Sequence, residues 1–93
     1  MTTPTLDTDR LATMLRALAH PIRIEMIRMM ADAGDANCMD LTRHVELAQS
    51  TVSEHLRVLK EAGLIKQCGP GPRSGYCLRR EALIWLKQSV VAL

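Results

Sequence analysis

Apolar residues recur along this chain with the three-to-four-residue period of amphipathic helices, interrupted near the C-terminal third by two short extended runs. Leu11, Met14, Leu15 and Leu18 predict a first helix. It stops near His20-Pro21, because a residue before proline is pushed out of the helical region. Pro21 suits the first position of a second helix, whose broad apolar face is Ile22, Met26, Ile27, Met29 and Met30 and whose end is at Ala33-Gly34. After a short loop from Asp35 to Cys38, a brief third helix spans about Met39 to Val45, with Leu41 and Val45 one turn apart. A tight turn, Glu46-Leu47-Ala48, leads into a fourth helix from about Gln49 to Ala62. Val52, Leu56 and Leu59 form its inward stripe, and Gly63 suits the left-handed position after a helix end.

The extended runs are Leu64 to Cys68 and Gly75 to Arg79, joined by Gly69-Pro70-Gly71-Pro72-Arg73-Ser74, a connector that cannot be helical. They read as a β-hairpin with a stiffened tip. A last helix runs from about Glu81 to the end, with Leu83, Leu86, Val90 and Leu93 on one face and Ile84 and Val91 widening it. A short helix, a three-residue turn and a longer helix make a helix-turn-helix. A hairpin directly after it is a wing. The expected fold is therefore mainly α with a small β-hairpin, a winged helix-turn-helix. Residues 1–7 form a flexible tail and residues 8–93 one DNA-binding and dimerisation domain.

Composition narrows the picture. A chain of 93 residues fits one domain with a thin stability margin, for which dimerisation is a common remedy. Phe is absent and Trp85 and Tyr76 are the only aromatic residues, so the core is aliphatic and the six Met are filler. Stacking platforms for single-stranded nucleic acid are excluded. The net charge of +2 is unevenly spread. Met1 to Leu56 carries five basic and eight acidic residues, whereas Arg57 to Arg80 carries six basic and one acidic. Such a basic run attracts polyanions, although a solvated face is the plainer alternative. Three scattered cysteines without a CxxC pair argue against a disulfide framework and for a reducing cytoplasm. No signal peptide and no membrane span is expected.

Stepping 100° per residue along the fourth helix puts Leu56 and Leu59 within about 40° of Val52. Ser50, Glu54, Arg57 and Glu61 then point the opposite way, with Gln49, Ser53 and Lys60 on one flank. The exposed N-terminal half offers Gln49, Ser50, Thr51, Ser53 and Glu54, short or amide side chains able to hydrogen-bond base edges in a major groove. Arg57 and Lys60 come later, where a phosphate backbone would pass. Arg73 at the hairpin tip is placed to enter a minor groove or clamp a phosphate. A generic polar helix and an ordinary turn arginine are the alternatives.

The stretch Leu47-Ala48-Gln49-Ser50-Thr51-Val52-Ser53-Glu54-His55-Leu56-Arg57-Val58-Leu59-Lys60-Glu61-Ala62-Gly63-Leu64 resembles the recognition-helix signature of ArsR/SmtB-type repressors. Ala17-Leu18-Ala19-His20-Pro21-Ile22-Arg23 and the segment Gly69 to Leu78 resemble that family's first helix boundary and wing. The resemblance covers about residues 8 to 93. It implies a homodimer packed through its first and last helices, binding to imperfect palindromes in double-stranded DNA, and release by an effector. It also implies that Gln49, Ser50, Ser53 and Glu54 face the groove.

The chain departs from that pattern in places. Ala48 stands where the family often has a capping Ser or Asp, and the Thr51–Glu54 spacing allows the helix to start two residues later. The family's metal-sensing Cys-Val-Cys-Asp-Leu segment corresponds here to Asn37-Cys38-Met39-Asp40-Leu41, and no histidine follows His55. No metal site and no cofactor is therefore expected. His20, His44 and His55 read as local structure, a solvated side chain and a half-buried structural residue or phosphate contact. Cys68 and Cys77 are able to approach each other across the hairpin as a thiol sensor, or are inert like Cys38. The expected dimer interface is Leu11, Met14, Leu15 and Leu18 with Leu83, Leu86, Val90 and Leu93. The function that follows is a DNA-binding repressor. A winged-helix protein-interaction module and a thiol-responsive repressor are the alternatives, and no catalytic constellation points to an enzyme.

Overall fold

The computed structural model describes residues 6–33, 38–68 and 75–93. Its elements run α1 (Thr8–Leu18), α2 (Pro21–Ala33), α3 (Cys38–Val45), α4 (Gln49–Glu61), β1 (Ile65–Gln67), β2 (Tyr76–Leu78) and α5 (Arg80–Val91). This is the winged helix-turn-helix order expected from the pattern. The connector at residues 69–74, with Arg73, lies outside the described residues.

Local chemistry sets the ends of the elements. Asp7, assigned to the tail on sequence grounds, is the N-cap of α1 and accepts a hydrogen bond from the Arg10 amide at 3.0 Å. Leu6 packs on the core beside it. His20 precedes the helix-starting Pro21, and its Nδ1 accepts from the Ile22 amide at 3.2 Å, serving α2 as a cap. Helix α4 ends in a Schellman motif. The Gly63 amide donates to the Lys60 carbonyl at 3.0 Å and the Leu64 amide to the Leu59 carbonyl at 3.1 Å. Gly63 has φ +82°, the left-handed value that this motif requires. In the turn between α3 and α4 the left-handed position falls to Glu46, with φ 56°, rather than to a glycine.

One aliphatic core joins the helices to the hairpin. Met14, Met26, Met30, Leu41, Val52, Leu56 and Leu59 are fully buried, and Leu64 and Ile65 tie the base of the hairpin to them. The strands pair antiparallel with Ile65 opposite Leu78, Lys66 opposite Cys77 and Gln67 opposite Tyr76. Arg10 of α1 lies over the Trp85 ring of α5 at 4.2 Å, so the first and last helices meet within one chain.

One expectation about these terminal helices needs correction. Leu11, Met14 and Leu86, expected at a dimer interface, are at most 5% exposed in the single chain and have no surface left for a partner. The inward stripe of α5 is Ala82, Leu86 and Ser89, while Val90 and Leu93 are exposed, as residues of an interface between chains would be. Small residues carry that stripe, so hydrophobicity alone did not reveal it. Leu18 and Leu83 are partly buried against the core, while Leu15, Ile84 and Val91 are exposed.

Candidate nucleic-acid interface

Helix α4 presents two unlike faces. Val52, His55, Leu56 and Leu59 are buried, and Gln49, Ser50, Thr51, Ser53, Glu54, Arg57 and Lys60 are all exposed. Ala48 has an extended conformation (φ −62°, ψ 146°) and makes no side-chain cap, yet its carbonyl accepts the first helical bond from Val52 at 3.0 Å. The helix thus starts at Gln49, not two residues later, and Gln49 and Ser50 stand in its first turn. The Thr51–Glu54 capping box is not formed; Glu54 is engaged elsewhere.

Arg57 forks between two carboxylates. Its Nε donates to Glu54 Oε2 at 3.0 Å, its Nη2 pairs with Glu54 Oε1, and its Nη1 donates to Glu61 Oε1 at 2.9 Å. The hydrogen bond from Arg57 holds the Glu54 carboxyl below its ordinary range, and the two carboxylates hold the Arg57 guanidinium more firmly charged. Arg57 is therefore not a free cation in this state. Contact with phosphate through Arg57, or with a base through Glu54, requires an exchange of partners. All three side chains are more than half exposed, so water competes for every bond and the exchange is cheap. Exposed Lys60 follows on the same helix, Lys66 on β1 and Arg80 at the start of α5. Arg79 donates to Glu81 at 3.2 Å.

Behind α4 lies a cluster that sequence reading did not assemble. His55 is 8% exposed, and its Nδ1 accepts from Arg23 Nε at 3.1 Å. Arg23 also donates to the Ala17 carbonyl at 3.3 Å. The His20 ring meets the His55 ring edge to face at 4.5 Å between centroids. Burial above all, then the neighbouring His20 and Arg23, lowers the His55 pKa from its ordinary value. These bonds fasten the recognition helix to the α1–α2 junction, and His55 faces inward rather than toward a phosphate. The one signal in the sequence was His20-Pro21, a helix start with a polar residue in the cap position.

The hairpin brings Cys68 and Cys77 together in a disulfide with Cα atoms 5.8 Å apart, a single cross-link between the two cysteines expected to approach each other rather than a disulfide framework. Among the described residues no group of three or more His, Cys, Asp or Glu is placed to hold a metal ion. No described helix is long and apolar enough to cross a membrane.

Comparison with known proteins follows the same lines. The sequence profile described as "Bacterial regulatory protein, arsR family" matches residues 20–67. The arsenical resistance operon repressor of Staphylococcus xylosus is 29% identical over 80 residues, 86% of this chain and 76% of its own length. The regulator YgaV of Escherichia coli is 29% identical over 75 residues, 81% and 76% of the two chains. Among solved structures, an ArsR-like regulator from Rhodococcus superposes with a TM-score of 0.80 at 19% identity, over 91% of this chain and 79% of the other. The homodimeric winged helix-turn-helix domain of Mb0332 from Mycobacterium bovis gives 0.75 at 22% identity, over 99% and 90%.

Proposed function

The chain belongs to the arsR family of bacterial regulatory proteins and is a DNA-binding transcriptional regulator, and we propose that it acts as a homodimeric repressor that reads an imperfect inverted repeat with α4. The observation that carries this reading is the exposed first half of α4. Gln49, Ser50, Thr51, Ser53 and Glu54 project from a helix whose other face is sealed into the core, with a hairpin directly behind. Short hydroxyl and amide groups read base edges, and the later cations Arg57 and Lys60 meet the backbone. Arg73 supplies the wing contact. A two-fold dimer sets two such helices about 34 Å apart, one turn of duplex. The Mycobacterium bovis neighbour is itself described as a homodimer, which supports that arrangement. The place of action is the cytoplasm, with the chromosome, and the role is regulation rather than catalysis.

The test is a binding titration on the DNA directly upstream of the gene, with a scrambled duplex as control. Ser53→Ala weakens specific binding by about 1–3 kcal/mol and leaves the control unchanged. Arg73→Ala weakens binding to both duplexes and flattens the salt dependence. Wild-type affinity in both variants refutes the assignment.

A further inference from the structure

The cysteine pair sits where it bears on the wing. Lys66 faces Cys77 across the strands, and the Cys68 amide donates to the Gly75 carbonyl at 2.9 Å. Cys68 is therefore diagonal to Cys77 and on the same face of the hairpin, together with Lys66. Both cysteines are half-buried, within reach of a small solute, and Lys66 is exposed beside them. Each strand has only three residues. Ile65 and Leu78 anchor the inner end to the core, while the cross-link lies at the outer end. An isolated two-stranded pair this short is marginal in water. The bond spans a sequence separation of nine.

We propose that Cys68 and Cys77 are a reversible dithiol–disulfide pair that takes small-molecule disulfides as its oxidant, and that the disulfide form binds DNA more tightly by holding the two short strands of the hairpin together. The proposal rests on the reading that α4 and the hairpin contact DNA. In the forward step the Cys77 thiolate attacks one sulfur of the small disulfide and expels one small thiolate. The Cys68 thiol then loses its proton to solvent and attacks the Cys77 sulfur, expelling the second thiolate. The protein gives up two electrons and two protons, and the small disulfide leaves as two thiols. Cross-linked strands have less freedom to lose when the hairpin docks, so oxidation lowers the ordering cost of binding. In a reducing compartment such a bond is a switch rather than a permanent staple.

The experiment uses the full chain in a Cys38→Ser background, so that only the pair reacts. Protein is equilibrated with glutathione disulfide or with dithiothreitol, and mass spectrometry counts its free thiols. Affinity is then measured by fluorescence anisotropy for the DNA directly upstream of the gene and for a random-sequence duplex. The expected result is loss of both thiols without chain-to-chain linkage, and binding on the order of tenfold tighter in the oxidised form. A Cys68→Ser, Cys77→Ser variant binds like the reduced protein in either buffer. Equal affinities, tighter binding by the reduced form, or failure of the intramolecular bond to form overturns the proposal alone. Absence of binding in every state overturns the DNA reading, and the proposal with it.

Discussion

His55 illustrates how one side chain couples the recognition helix to the rest of the domain. The buried imidazole accepts at Nδ1 from Arg23, so the folded chain holds it neutral beside a permanent cation and a second imidazole. Its folded pKa lies below the ordinary histidine value, with burial the chief cause. As pH falls below about 6.5 the unfolded chain takes up a proton at this position before the folded chain does, so folding stability declines with acidification. The loss levels off once the folded form also protonates, and above that range His55 contributes no pH dependence. Thermal unfolding followed between about pH 7.5 and 5.5 therefore shows a falling Tm in the wild type and a shallower fall in His55→Gln. Equal slopes in the two proteins count against a buried neutral His55, whatever the absolute Tm of the variant. The contact itself was hidden in the sequence, because Arg23 and His55 are 32 residues apart and only tertiary packing brings them together.

Helix α4 was the most legible element, because its apolar residues repeat cleanly and Gly63 marks its end. Its start was ambiguous for a physical reason. Ala48 provides no side-chain acceptor and Thr51 offers a competing cap, and only packing of Val52 and Leu56 resolved the choice. The helical arithmetic placed Glu54, Arg57 and Glu61 on one face but said nothing of their pairing. Exposed side chains choose among water, DNA and each other, and periodicity does not record that choice. The core stripe of α5 was not legible because Ala82 and Ser89 are small, and burial there follows size as much as hydrophobicity. That Cys68 and Cys77 are able to approach each other was legible once the hairpin was, but their diagonal register was not. The uncapped start of α4 makes a direct prediction. Ala48→Ser supplies the missing acceptor to the first-turn amides and adds about 1 kcal/mol. For a domain of this size that raises the Tm by about 4–8 °C in a thermal melt. An unchanged Tm means that those amides already have partners.

Across the whole molecule the unspent surface is aliphatic and concentrated on the terminal helices. Leu15 is 42% exposed, Ile84 55% and Val91 86%. Ile84 and Val91 are seven residues apart and so share one face of α5, and the Arg10–Trp85 contact places α1 against that helix. The apolar excess was legible in the sequence, but Leu11, Met14 and Leu86 belong to the core rather than the surface, since hydrophobicity does not say which side of a helix a single chain covers. The division matters for the test of assembly. Leu86→Glu buries a charge in the core and unfolds the chain, so it says nothing about dimers. Ile84→Asp combined with Val91→Asp alters only exposed positions, and the variant keeps its helical circular dichroism. If these residues hold a two-fold interface, the variant sediments as a monomer at micromolar concentration while the wild type sediments as a dimer. Its affinity for an inverted repeat then falls toward that for a single half-site, because the second recognition helix is no longer held one turn of duplex away. A wild-type chain that is monomeric at that concentration, or a doubly substituted chain that remains dimeric, removes these residues from the interface.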